Sequence, residues 1–174
     1  DKPYYYQIPE APATFTAATV AARMVDGLGF RYFWATEGLT EKDLSYHPSG
    51  DSRTSMETLE HIDGLTKTLL NAVSKKTNAG GGAKEKLSFA ALRQRTLEQI
   101  KMASDILKQP DTNLEEAKII FERKNGNKEY PFWNMINGPI ADALWHVGQV
   151  VTFRRSSGNP LPKGVSVLEG SKTD

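Results

Sequence analysis

Apolar residues recur at helical spacing along four long segments of this chain, and residues that start or stop helices separate the segments. Thr54 and Glu57 fit a capping box at the start of the second segment, and Gly158 and Pro160 follow the fourth. The pattern predicts helices over about 14–37, 54–75, 88–109 and 139–157. Four long helices with short or medium connections predict an all-α four-helix bundle.

The first and third predicted helices each carry an apolar stripe, which we expect to face the core. Gly27 and Gly29 interrupt the first helix, where they either weaken it or let a neighbouring segment approach closely. The predicted core residues are Val20, Met24, Leu28, Tyr32 and Ala35 in the first helix and Phe89, Leu92, Thr96, Ile100, Ala103 and Leu107 in the third.

Two connections have distinctive compositions. Two strand-like runs flank Asn125-Gly126, a pair that favours a tight hairpin turn, so we expect a short β-hairpin before the last helix. The polar segment 77–86 contains three consecutive glycines but lacks the flanking strand and lysine of a phosphate-binding loop, so we interpret it as a connector. There is no internal repeat, and we expect one domain over 1–174 with its core at about 14–160.

Composition narrows the classes of function. The 174 residues include 22 basic and 21 acidic ones, so a nucleic-acid partner is not expected. No apolar run approaches the length of a membrane span, and a membrane association is not expected either. The sequence has no cysteine, which excludes disulfides and a cysteine nucleophile. It begins at Asp1 rather than Met, so an exported and a cytoplasmic location are both left open. The sequence also leaves open whether the protein forms a homodimer.

The histidines raise the prospect of a metal site. Asp142 and His146 lie four residues apart in the last predicted helix, so their side chains share one face. His61 lies near the middle of the second helix and could supply a third ligand if the two helices are neighbours. Two imidazoles and one carboxylate suit a divalent metal with open positions. From the spacing alone, the simpler interpretation is an ordinary ion pair within the last helix together with an unrelated core histidine, since such pairs are common on helices.

Three segments carry a family resemblance: MVDGLGFRYFW at 24–34, TSMETLEHIDGL at 54–65 after the Tyr46-His47-Pro48 turn, and ADALWHVGQVVTFRRSSGNP at 141–160. Together they resemble the DinB/YfiT-like superfamily of four-helix metalloproteins. In that family a histidine of the second helix and an H-x-x-x-H pair of the last helix hold a divalent metal. A glycine-glutamine and an arginine-bearing stretch ending in glycine follow that pair. The resemblance extends from about Phe15 to Pro160.

The resemblance implies a ligand set of His61, Asp142 and His146. It places His61 at the first ligand position and His146 at the last, whereas Asp142 stands where the commoner pattern has histidine. The carboxylate lowers the net charge of the site by one, which favours a harder metal than three histidines would. The implied cofactor is one divalent ion: zinc, nickel, iron or manganese.

Other polar residues lie near these positions in the sequence. Gln149 shares the stripe of Asp142 and His146 and is placed to hydrogen-bond a ligand or a water molecule. Glu57 precedes His61 by one turn and could support that ligand or act as a base, although the capping box already accounts for it. His47 is a weaker candidate for a fourth ligand. Two adjacent arginines, 154 and 155, could bind an acidic substrate, but we interpret them as interacting with the helix dipole.

The resemblance implies a metal-binding protein that acts either as a metal-dependent hydrolase or as a thiol-dependent transferase. In both, the metal activates a water molecule or the thiol of a small-molecule substrate. The alternative is a non-catalytic binding protein, with or without metal. No nucleophile stands out in the sequence, so no catalytic residue is assigned and any turnover would depend on what the metal binds.

Overall fold

Four long helices dominate the computed structural model, which describes residues 2–80 and 85–173. The described helices are α1 (Ala17–Thr36), α2 (Glu41–Leu44), α3 (Ser55–Val73), α4 (Phe89–Leu107), α5 (Phe132–Met135) and α6 (Ala141–Ser157), with a π-helical turn at Ile136–Ile140. The described strands are β1 (Ile119–Phe121), β2 (Lys128–Tyr130), β3 (Val165–Ser166) and β4 (Ser171–Lys172). The predicted helical class is confirmed, and each long helix ends within about three residues of its predicted bounds.

Local chemistry explains where the long helices begin and end. At the start of α3, the Thr54 side chain accepts from the Glu57 amide, and the Glu57 carboxylate accepts from the Thr54 amide at 2.8 Å. These two bonds satisfy amide groups that the first helical turn leaves without partners. Gly158 ends α6 in the left-handed region with φ +96°, which a glycine adopts without steric cost.

The four long helices pack around one apolar core. α1 and α3 each contact both α4 and α6, so α3 lies beside α6. None of the described helices combines the length and hydropathy needed to cross a bilayer. The fully buried aliphatic side chains of the long helices include Leu28, Leu59, Ile62, Leu69, Ile100 and Leu107.

The predicted core stripes have different outcomes. In α4, the predicted core residues Leu92, Thr96, Ile100, Ala103 and Leu107 are buried, while Phe89 is half-buried at the helix start. In α1, Leu28, Tyr32 and Ala35 are buried, but Val20 and Met24 are exposed, and that part of the prediction is wrong. The first turns of α1 instead bury the small residues Ala18, Ala21 and Ala22, which turns the larger side chains outward.

The β-hairpin before the last helix is confirmed. β1 and β2 pair antiparallel, with Phe121 opposite Lys128. The tight two-residue turn at Asn125-Gly126 is not formed, because residues 122–127 join the strands and Gly126 has a positive φ whereas Asn125 does not. Residues 81–84 of the predicted connector lie outside the described residues. The part before them is more than a connector, because the Asn78 amide donates to the Ile120 carbonyl at 2.7 Å and extends the hairpin.

The segment before α1 belongs to the core although it lies outside the predicted core range. Tyr5 is buried, and its hydroxyl donates to Asp26 Oδ1 at 3.0 Å. Lys108 approaches Asp26 Oδ2 at 2.7 Å and supplies the opposite charge that a buried carboxylate needs. The Ile8 amide donates to the Gly170 carbonyl at 2.7 Å, which joins this segment to the β3–β4 hairpin.

Gly29 permits the close approach of Tyr5, and we expect Gly29→Ala to destabilise the protein by about 1–3 kcal/mol. A Cβ atom at position 29 would lie 2.4–2.6 Å from three atoms of the Tyr5 ring. Gly64→Ala is the matched control, because Gly64 is an exposed helical glycine with nothing within 4 Å of its Cβ position. Urea denaturation should show Gly64→Ala unchanged or stabilised by about 0.5–1 kcal/mol. Equal effects of the two substitutions would contradict a tight Tyr5 contact.

Candidate metal centre

The candidate ligands lie on α3 and α6, which pack side by side. His61 lies in the second turn of α3, while Asp142 lies in the first turn of α6 and His146 one turn later. The π-helical turn before α6 contains Gly138 outside helical geometry and Pro139, which has no amide hydrogen to leave unpaired. The N-terminal end of α6 favours the negative charge of Asp142.

The structure brings these three side chains together. Asp142 lies between the two histidines, with Oδ2 3.2 Å from His61 Nε2 and Oδ1 3.3 Å from His146 Nε2. The two imidazole rings meet edge to face, with centroids 4.6 Å apart and planes at 89°. His61 is therefore not the unrelated core histidine that the simpler interpretation assumed.

The donor spacing fits a shared ion. One ligand atom from each of the three side chains can be chosen so that all lie within 4.8 Å of one another. Two donors that share a zinc ion in tetrahedral geometry lie roughly 3.4 Å apart, given metal–ligand distances of about 2.0–2.2 Å. The two contacts of Asp142, at 3.2 and 3.3 Å, are close to that separation, and they end on different carboxylate oxygens, Oδ2 and Oδ1.

A hydrogen bond from His146 to Gln149 determines which nitrogen of His146 faces Asp142 as an acceptor. His146 Nδ1 lies 2.7 Å from Gln149 Oε1, and an amide oxygen only accepts, so Nδ1 carries the hydrogen. In a neutral ring, Nε2 then presents a lone pair toward a carboxylate oxygen 3.3 Å away. Two acceptors at this distance repel each other unless a proton or a metal ion lies between them. The contact therefore fits either a proton, as in an ordinary ion pair, or a metal ion between these two atoms.

The cluster is accessible from solvent. The side chains of His61 and Asp142 are 32% and 40% exposed, and that of His146 is 15% exposed. An ion could therefore enter without rearrangement of the core, and a small molecule could reach it afterwards.

Two further candidates have other contacts. The Glu57 carboxylate lies in the capping box, where it accepts from the Thr54 amide and hydroxyl. These bonds hold the pKa of Glu57 below its usual range. His47 Nδ1 contacts the Ser49 carbonyl at 2.5 Å, and among the described residues the potential ligand cluster contains His61, Asp142 and His146 without His47.

Arg154 has a structural role that the sequence interpretation missed. Its side chain is buried rather than aligned with its own helix dipole, and Nη1 donates to the carbonyls of Trp34, Ala35 and Glu37 at 3.0–3.1 Å. Nε donates to the Asn159 carbonyl at 2.7 Å. Arg154 thus caps the C-terminal end of α1.

Asp43 belongs to the same buried cluster. Burial would raise the pKa of Asp43, but hydrogen bonds from Ser157, Asn159 and Thr40 outweigh it and hold the pKa well below its usual range. Asn159 Nδ2 donates to Asp43 Oδ2 at 2.7 Å, so one asparagine contacts both Asp43 and Arg154. This cluster links the ends of α1 and α6 and the short helix α2.

In comparisons with known proteins, no protein-family model, curated protein or solved structure matches the chain.

Proposed function

We propose that this protein is a DinB-like four-helix bundle that binds one divalent transition metal between α3 and α6. The observation that carries the proposal is the convergence of His61, Asp142 and His146, which come from two different helices. His61 and Asp142 are 81 residues apart in the sequence. The resemblance of the helix motifs to the DinB/YfiT-like superfamily supports the same assignment.

His61 Nε2, His146 Nε2 and a carboxylate oxygen of Asp142 would hold the ion. Two imidazoles and a carboxylate suit zinc, nickel, iron or manganese, and three protein ligands leave a position open. Gln149 would keep the His146 ring in its orientation, because its amide oxygen accepts from His146 Nδ1 at 2.7 Å.

The proposed activity is that of a metal-dependent hydrolase or a thiol-dependent transferase. A bound divalent metal would supply Lewis acidity toward a water molecule or a thiol. The chain has no cysteine, so a reacting thiol would come from a second small molecule. The exposure of His61 and Asp142 would let that molecule reach the site.

A binding role without catalysis is the second candidate. It is favoured by the contacts of Asp142, because each of its carboxylate oxygens faces a histidine nitrogen at 3.2 or 3.3 Å. Asp142 is therefore engaged with the two rings and is not free to act as a general base.

We expect His61→Ala to abolish stoichiometric metal binding while helical circular dichroism stays almost unchanged. His61 is partly exposed, and the core of α1 and α4 does not involve it, so the fold does not depend on the metal as a zinc finger does. The measurement is calorimetric titration of chelator-treated protein, purified without a polyhistidine tag, with zinc, nickel, manganese and ferrous ions.

His47→Ala is the matched control, because it removes a histidine outside the cluster. Wild type and His47→Ala should each bind one ion. Retention of the site in His61→Ala, or its loss in His47→Ala, would overturn the ligand assignment. Loss of helical structure together with the metal would show that the site is structural rather than functional.

A further inference from the structure

A groove of about 650 Å³ lies along the outer side of α1, away from the candidate metal ligands. Its walls are the segment before α1, the turn between β3 and β4, and Leu144 of α6. Leu144 lies two residues from both Asp142 and His146, and side chains two apart on a helix point in nearly opposite directions. The groove and the metal ligands are therefore separate features, and the volume is that of a small-molecule site.

The groove is bordered by apolar side chains with unusual exposure. Phe15 and Leu168 line the groove and are 96% and 95% exposed, and Val167 is 55% exposed. Val20 and Met24 of α1, which the sequence pattern had assigned to the core, are also exposed within the groove. A contiguous apolar patch of this kind marks a binding surface more often than isolated exposed residues do.

The charge in this groove has one sign. Among the described residues that line it, the charged ones are Arg23 and Arg31, which lie eight residues apart on the same face of α1. Arg23 Nη1 donates to the Pro9 carbonyl at 2.7 Å and Arg31 Nη1 to the Gly27 carbonyl at 3.0 Å. Within residues 2–80 and 85–173, neither guanidinium forms an ion pair with a carboxylate.

We propose that this groove binds an amphipathic anion, a single-chain carboxylate of the fatty-acid type. The apolar chain would cover Val20 and Met24 and contact Phe15 and Leu168, which would remove their apolar surface from water. The carboxylate would accept hydrogen bonds from Arg23 or Arg31, whose planar guanidinium groups match carboxylate geometry.

Charge disfavours a second copy of the chain as the occupant. Most homodimers are two-fold symmetric and bring the same patch of each copy together. Such a contact would place the Arg23 and Arg31 pair of one copy against the same pair of the other, without a carboxylate from the groove lining to separate them. A free anionic amphiphile instead complements both the apolar walls and the positive charge.

The test is calorimetric titration with decanoate below its micellar concentration, in the presence of chelator so that a metal cannot bind the carboxylate. Decanol and decyltrimethylammonium carry the same chain with a neutral or a positive head group, and acetate carries the head group without the chain. We expect saturable one-site binding of decanoate, at least tenfold weaker binding of the two other amphiphiles, and no binding of acetate at the same concentration.

Met24→Glu should weaken decanoate binding at least tenfold, because it adds a negative charge to the groove that Arg23 and Arg31 line. Met102→Glu is the matched control, since Met102 is an exposed methionine of α4 that does not line the groove. If Met24→Glu fails to fold, Arg31→Gln replaces it, with Arg155→Gln as its control, and should weaken binding at least threefold.

Three results would overturn the proposal. The first is an absence of saturable decanoate binding, and the second is equal affinity for decanoate and decanol, which would remove the role of the arginines. The third is concentration-dependent self-association that Met24→Glu abolishes and decanoate does not affect. That third result would show that the groove is an interface between copies.

Discussion

Replacing Asp142 with alanine is expected to weaken zinc binding by at least about 100-fold. The substitution removes one of three protein ligands, and even residues that only orient a ligand contribute about 10- to 100-fold to affinity. It also removes the negative charge that lies between His61 and His146, so a divalent ion would face two neutral rings alone. Zinc affinity measured by competition with a chromophoric chelator checks this expectation.

Asp142→His separates a metal site from an ion pair. A histidine at this position rebuilds a three-histidine set at similar reach, so zinc affinity should persist or rise. Asp105→Ala is a matched control, because Asp105 forms an i,i+4 ion pair with Lys101 on α4. If Asp142 serves only in an ion pair, Asp142→Ala and Asp105→Ala should both shift stability by at most about 1 kcal/mol, without altering metal content. Equal metal affinity in wild type, Asp142→Ala and Asp142→His would contradict the assignment.

Replacing Arg154 with alanine should lower the free energy of unfolding by about 3–5 kcal/mol, because several buried carbonyl oxygens lose their donor and each unsatisfied group costs about 1–3 kcal/mol. The guanidinium donates to three carbonyls at the end of α1 and to Asn159, and its removal leaves these acceptors without donors. Arg154→Lys should fall between wild type and alanine, because an ammonium group cannot reproduce the planar set of donors.

Arg155→Ala provides the control for Arg154→Ala. Arg155 is the next residue of the same helix but is exposed, so its substitution should change stability by less than about 0.5 kcal/mol. Urea denaturation of the four proteins compares the effects. Stability losses within about 1 kcal/mol of each other for the two alanine variants would mean that Arg154 does not hold the end of α1.

Local patterns predicted the parts of the fold that depend on local chemistry. The capping box at Thr54 and Glu57, the β1–β2 hairpin and the stripe of α4 all involve residues close in sequence. The exposure of Val20 and Met24, which were predicted to be buried, depended on which elements pack against α1. Periodicity identifies a stripe, but it does not show that Tyr5 comes from outside the predicted core or that the β3–β4 turn borders Met24.

In the candidate site, too, local spacing predicted the contacts within one helix but not the contacts between helices. The four-residue spacing placed Asp142 and His146 on one face, and Gln149 lies three residues further along the same helix. The contact with His61 depends on α3 lying beside α6. The spacing of residues within one helix does not show which helix is its neighbour. Arg154 was misinterpreted for a related reason, since its partners are carbonyls about 120 residues away in sequence.

The most direct measurement of the central claim is the position of the metal. Untagged protein crystallised with zinc should show one anomalous scattering peak at the zinc edge between α3 and α6. Its distances to His61 Nε2, His146 Nε2 and a carboxylate oxygen of Asp142 should be about 2.0–2.2 Å. A cluster without zinc, in crystals that contain zinc elsewhere, or a peak at His47 instead, would contradict the account.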